Sequence, residues 1–86
     1  MANYKVELKR SAAKEIESIP QKKRRQQIVA RIAKLAEDPR PPGCQKLSGQ
    51  NAYRVRQGEY RIIYTIEDER LIVTVVKVGH RRDVYR

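Results

Sequence analysis

The sequence predicts a single α+β domain over residues 1–86, in the order β-α-α-β-β-β, with a helical hairpin packed on a mostly antiparallel four-stranded sheet. Three observations predict it. Apolar residues alternate at period two near the start of the chain and again in its last third, as half-buried strands require. Between those stretches they recur every three to four positions, the spacing of a helix face. The links between the last three apolar stretches are short enough to allow only antiparallel hairpins.

Taken in order, Tyr4, Val6 and Leu8 alternate with Lys5, Glu7 and Lys9, which predicts a first strand with one buried face. Ser11 is placed to cap a short helix running to residue 19, with Ala12, Ile16 and Ile19 on its apolar side. Pro20 ends that helix and suits the first turn of the next. The second helix is expected over residues 21–37, where Ile28, Ile32 and Leu35 form a stripe widened by Val29, Ala33 and Ala36. Pro39, Pro41, Pro42 and Gly43 then stop it. Three strands follow, over residues 53–57, 60–67 and 71–78, with Gly58-Glu59 and Asp68-Glu69 as their turns. The third is almost wholly aliphatic and is expected inside the sheet, with both faces covered or nearly so.

Composition narrows the function. The chain lacks Trp and Phe, so Ile, Val, Leu and Tyr must build the core. Twenty Lys and Arg stand against 10 Asp and Glu, a net charge of +10, which implies a polyanion or an acidic protein as partner. The single cysteine, Cys44, excludes an internal disulfide and a cysteine-based zinc site. One His, one Cys and scattered acids give no metal-ligand spacing, and no glycine-rich phosphate loop is present, so neither metal nor cofactor is expected. Residues 1–10 are too charged for a signal peptide, and no apolar run approaches the ~20 residues of a membrane span. The expected location is cytoplasmic.

The chemistry concentrates in the last third. Arg54 and Arg56 are two apart on one strand and so share a face, while Tyr53, Val55 and Gln57 take the other. On the next strand Arg61, Ile63 and Thr65 oppose Tyr60, Ile62, Tyr64 and Ile66. Arg61 lies near Arg56 if the register puts both on the open face; sequence alone does not fix that register. Guanidinium groups stay charged and bind phosphate oxygens in pairs, so three converging arginines point to a phosphodiester. The plainer alternative is that each lays its stem over the sheet and pairs with nearby acids. After Gly79 come His80, Arg81, Arg82, Tyr85 and Arg86. His80 suits proton transfer near neutrality, or is a solvated turn residue. Tyr85 can serve as a base among cations, stack on a nucleobase or pack on the sheet rim. Lys22-Lys23-Arg24-Arg25, at a helix start where cations are disfavoured, is either a track for a nucleic-acid backbone or a solvated face.

Lys46-Leu47-Ser48-Gly49, Tyr53-Arg54-Val55-Arg56, Gly58-Glu59-Tyr60-Arg61-Ile62-Ile63-Tyr64 and Val78-Gly79-His80-Arg81-Arg82-Asp83-Val84-Tyr85 together resemble the RelE/ParE superfamily of toxins, and most of all its RelE branch. The resemblance covers essentially the whole chain. It implies the toxin of a type II toxin–antitoxin pair, a ribosome-dependent, metal-independent mRNA endoribonuclease that inhibits translation. Its partners would be a cognate acidic, RelB-like antitoxin, the ribosome and mRNA. By position, Arg61 and Arg81 match the family arginines at the scissile phosphate and leaving group, and Tyr85 the tyrosine that orients or activates the 2′-hydroxyl. Arg54 and Arg56 match basic positions that are often lysine. Arginine cannot give up its proton, so these two act electrostatically and the base is Tyr85 or His80. The alternatives are a ParE-like inhibitor of DNA gyrase without RNase activity, and a non-catalytic RNA- or ribosome-binding domain.

Overall fold

The computed structural model describes residues 3–47, 49 and 51–80. The elements are β1 (Lys5–Leu8), α1 (Arg10–Glu17), α2 (Lys22–Lys34), β2 (Gln45–Lys46), β3 (Ala52–Gln57), β4 (Tyr60–Glu67) and β5 (Ile72–His80). They form a five-stranded sheet in the order β1-β5-β4-β3-β2, with both helices on one face. The α+β architecture is the expected one. The two-residue β2 adds an edge to the expected four strands, pairing antiparallel with β3. β1 pairs parallel with β5, and every other pairing is antiparallel.

The core follows from the two periodicities. Ala12, Ile16 and Ile19 from the α1 side and Ile28, Ile32 and Leu35 from the α2 side meet Tyr53, Val55, Ile62, Tyr64, Ile66, Val73, Val75 and Val78 of the sheet. β3 and β4 contribute alternate residues, as the pleat dictates. Tyr64 is fully buried, and its hydroxyl donates to the Pro39 carbonyl at 2.7 Å, which satisfies the one polar atom that burial would otherwise strand. Burial also pushes the Tyr64 phenol well above its ordinary pKa.

Several boundaries differ from expectation, α1 ending at Glu17 and the last strand running on to His80 among them, and three have a local reason. Ser11 is the second residue of α1 rather than its cap; Lys9 holds the cap position with no side-chain hydrogen bond. The Lys9 amide is bonded to the Val75 carbonyl, so β1 hands the chain directly to the helix. α2 stops at Lys34 because its last amides turn to the tighter i→i−3 pattern at Leu35, Ala36 and Glu37, while the Ala36 carbonyl is taken by Tyr4 of the neighbouring segment. β5 begins at Ile72 because Leu71 closes the preceding turn with φ +54, a conformation no strand residue adopts.

Candidate functional site

The face of the sheet away from the helices carries the arginines. Gly58 has φ +61 at the first position of the two-residue turn between β3 and β4, the conformation that a tight hairpin of this kind uses. That turn fixes the register left open by the sequence: Gln57 faces Tyr60, Arg56 faces Arg61 and Arg54 faces Ile63. Arg56 and Arg61 are therefore direct cross-strand neighbours, a separation of roughly 5 Å between Cβ atoms, and Arg54 lies diagonally from Arg61 at roughly 7–8 Å. Like charges placed directly opposite each other destabilise a sheet. Arg54 and Arg61 are also only 9% exposed, whereas Arg56 is exposed. Arg54 donates to the Gln45 side-chain oxygen of β2. The short edge strand thus has a role in the site: it holds an amide against one of the three guanidinium groups.

β5 completes this face by means of an irregularity. Ile63 faces Lys77 and Tyr64 faces Val75, so Val76 is an extra residue, a β-bulge. The bulge reverses the alternation along the strand. Val73 and Val75 point to the core before it, and Val78 points there after it. Gly79 consequently stands across from Arg61 on the arginine face, where it adds no side chain. His80 stands across from Tyr60 on the opposite face.

His80 therefore does not join the arginines. Its ring meets Tyr60 edge-on at 5.6 Å between centroids, and its Nε2 lies 3.1 Å from Glu59 Oε2. It lines a cleft of about 250 Å³ with Glu15, Ser18 and Ile19 of the helical side. On the arginine side, a shallow recess of about 100 Å³ lies among Arg56, Gly58, Glu59, Tyr60 and Arg61. Of the five residues assigned to the site from sequence, the structure brings Arg54, Arg56 and Arg61 together; Arg81 and Tyr85 lie outside the described residues. Among the described residues, no group of three or more His, Cys, Asp or Glu side chains is arranged to hold a metal ion, and no helix is long and apolar enough to cross a membrane.

The second basic run divides in the fold. Arg25 turns back to donate to the carbonyls of Ile19 at 2.5 Å and Pro20 at 3.3 Å, closing the link between the helices. Lys22, Lys23 and Arg24 are exposed. Arg25 is thereby a structural residue, a role that the charge run alone did not reveal.

The chain and its fold have counterparts among known proteins. The family model for the ParE toxin of type II toxin–antitoxin systems (parDE) matches residues 6–85. An Escherichia coli protein described as a RelE-like toxin is 31% identical over 86 residues, spanning 95% of this chain and 90% of that one. The fold superposes on archaeal RelE from the RelE–RelB complex of Pyrococcus horikoshii OT3 with a TM-score of 0.82 at 25% identity, covering 94% of this chain and 98% of the other. It superposes on isolated RelE toxin of E. coli with a TM-score of 0.77 at 29% identity, covering 95% and 90%. With a family match across nearly its whole length, a 31% identical toxin relative and a fold that superposes on RelE, the chain belongs to the RelE/ParE superfamily of type II toxin–antitoxin toxins.

Proposed function

We propose that this toxin is an mRNA endoribonuclease that acts on ribosome-bound message and so inhibits translation. The observation that carries the reading is the register of β3 on β4, which sets Arg56 directly across from Arg61 and Arg54 on the diagonal. Guanidinium groups set this close form an array of donors that fits an anion with several oxygens. In the reaction, the 2′-oxygen of the target nucleotide attacks the adjacent phosphorus and its proton passes to a base. The bond from phosphorus to the 5′-oxygen breaks, and the departing oxygen takes up a proton from solvent. The products are a 2′,3′-cyclic phosphate and a 5′-hydroxyl. Negative charge grows on the non-bridging oxygens in the transition state, and preorganised guanidinium donors stabilise it there. Arg61 takes the scissile phosphate, Arg54 and Arg56 add field, Arg81 serves the leaving oxygen and Tyr85 orients or deprotonates the 2′-hydroxyl. His80 has no part as base, because strand parity turns it to the far side of the sheet. The step calls on no metal ion or cofactor.

A net charge of +10 also supports binding to ribosomal RNA, which weakens steeply with salt. The archaeal relative was crystallised with RelB. An acidic, RelB-like antitoxin is accordingly the proposed protein partner here, neutralising the basic face, and pull-down with the product of a neighbouring small reading frame tests it. The cytoplasm, where ribosome and antitoxin meet, is the proposed location.

Cleavage of ribosome-bound mRNA by the wild type, Arg61→Ala and Arg81→Ala tests the nuclease reading; equal activity in all three would sink it. The match to the ParE model favours a second reading, inhibition of DNA gyrase by protein contact. A supercoiling assay separates the two: gyrase inhibition with intact message selects the second.

A further inference from the structure

We infer that Glu15 is a positioning residue for the nuclease proposed above, acting as a clamp on the end of β5. The inference rests on that reading for its consequence, but not for its geometry. β1 covers the outer edge of β5 only as far as Val75, where Leu8 is its last partner. Among the described residues, β5 has no strand on that side from Val76 onward, and the bulge at Val76 further loosens the ladder. A free strand edge next to a bulge is the part of a sheet most prone to fray or slip. Glu15 of α1 stands at this place. Its Oε1 accepts a hydrogen bond from the Val78 amide at 2.9 Å, and its Oε2 lies 3.2 Å from Lys77 Nζ. One carboxylate substitutes for the missing strand.

The position of the clamp connects it to the site. Val78 sits across from Ile62, and the next residue, Gly79, sits across from Arg61. A slip of one residue at the end of β5 would put a side chain against Arg61 in place of Gly79 and would exchange the faces of the two residues before Arg81. Fixing the Val78 amide fixes that register. Ser18 in turn donates its hydroxyl to the Glu15 carbonyl at 2.8 Å, so the helix turn that carries the clamp is itself tied. Nothing in the local pattern marks this role: Glu15 is one more acid on a charged helix.

The two contacts of the carboxylate make separable predictions. Glu15→Gln keeps an acceptor for the Val78 amide and loses only the pair with Lys77, and Lys77→Ala loses the same pair from the other side. Both variants are expected within about five-fold of wild-type kcat, the scale of a partly exposed ion pair. Glu15→Ala removes the acceptor. Its kcat on ribosome-bound mRNA is expected to fall by about 100-fold with KM nearly unchanged, as a displacement of roughly 1 Å at reacting groups produces. Hydrogen exchange at the Val78, Gly79 and His80 amides is expected to speed up in Glu15→Ala and to remain slow in Glu15→Gln. Should Glu15→Ala fail to fold, Glu15→Asp, one methylene short of the Val78 amide, takes its place with the same expectations. Wild-type kcat in the variant lacking the acceptor overturns the inference, and so does a Glu15→Gln as impaired as Glu15→Ala. If the wild type itself cleaves no message, the nuclease reading falls and exchange alone decides: faster exchange confined to residues 78–80 retains the clamp, and unchanged exchange removes it.

Discussion

The two faces of one hairpin obey opposite rules. On β3 and β4, Tyr53, Val55, Ile62, Tyr64 and Ile66 point to the helices and are buried together, so that face is built for stability. One residue along in each case, Arg54, Arg56 and Arg61 point the other way and bring like charges side by side. A sheet face that needed only solubility would mix the signs of charge across strands, as favourable cross-strand pairs do. The contrast teaches that the fold is a scaffold whose cost on one face is offset by packing on the other. It also separates substitutions that lower stability from substitutions that lower activity, even where the residues are adjacent in sequence.

The adjacent pair Ile62 and Arg61 gives the largest test. Ile62→Ala leaves a cavity in the core and is expected to cost about 2–5 kcal/mol of unfolding free energy, read as a lower urea midpoint at unchanged slope. Its activity per folded molecule should remain near wild type. Arg61→Ala should cost less stability than that while lowering the cleavage rate by about 10²–10³-fold, the scale of losing one preorganised donor to a developing oxyanion. If the two variants lose stability and activity in parallel, the division of labour between the faces is wrong. A smaller effect is expected at Tyr64. Tyr64→Phe removes the donor to the buried Pro39 carbonyl and should cost about 1–3 kcal/mol, with the cleavage rate per folded molecule unchanged.

How much of this was legible depends on whether the information is local. The apolar stripe of α2 and the parity of Arg54, Arg56 and Arg61 are set by spacing within single elements; the register that brings the three together was left open by the sequence and is fixed by the two-residue turn at Gly58-Glu59. The bulge at Val76 was not legible, because it falls in a run of aliphatic residues with no alternation to be broken. That run hid the reversal that sends His80 away from the arginines. The parallel pairing of β1 with β5 joins segments separated by most of the chain, and β2 is too short to carry a pattern. The roles of Gln45 and Glu15 follow from those pairings and were hidden with them. Arg81 and Tyr85 were assigned through the family resemblance, and they lie outside the described residues.

An arginine on the helix-covered side, Arg40, sharpens the comparison, because its pairing serves the fold. Arg40 holds Asp68 with both terminal nitrogens, at 3.1 and 2.9 Å, and stacks over the Tyr53 ring at 5.2 Å. Tyr4 donates to the same carboxylate at 2.7 Å, so one acid joins the start of the chain, the loop after α2 and the β4–β5 turn. Hydrogen bonds from Arg40 first, and from Tyr4 second, lower the Asp68 pKa from 3.8 to about 2. A carboxyl depressed in the folded state binds fewer protons there than in the unfolded chain, so its contribution is present above the unfolded pKa and is lost as pH falls through the folded one. Stability should therefore decline between pH 4 and 2 more steeply in the wild type than in Asp68→Asn, by a small margin because the group is exposed. Thermal midpoints of the two proteins across that range measure it. Arg61→Ala should leave the margin untouched, because Arg61 lies on the opposite face and has no share in this carboxylate's pair. Convergence of the Asp68→Asn and wild-type curves as the acid titrates would place the latch where the geometry does; parallel curves would mean that Asp68 contributes nothing that its proton can remove.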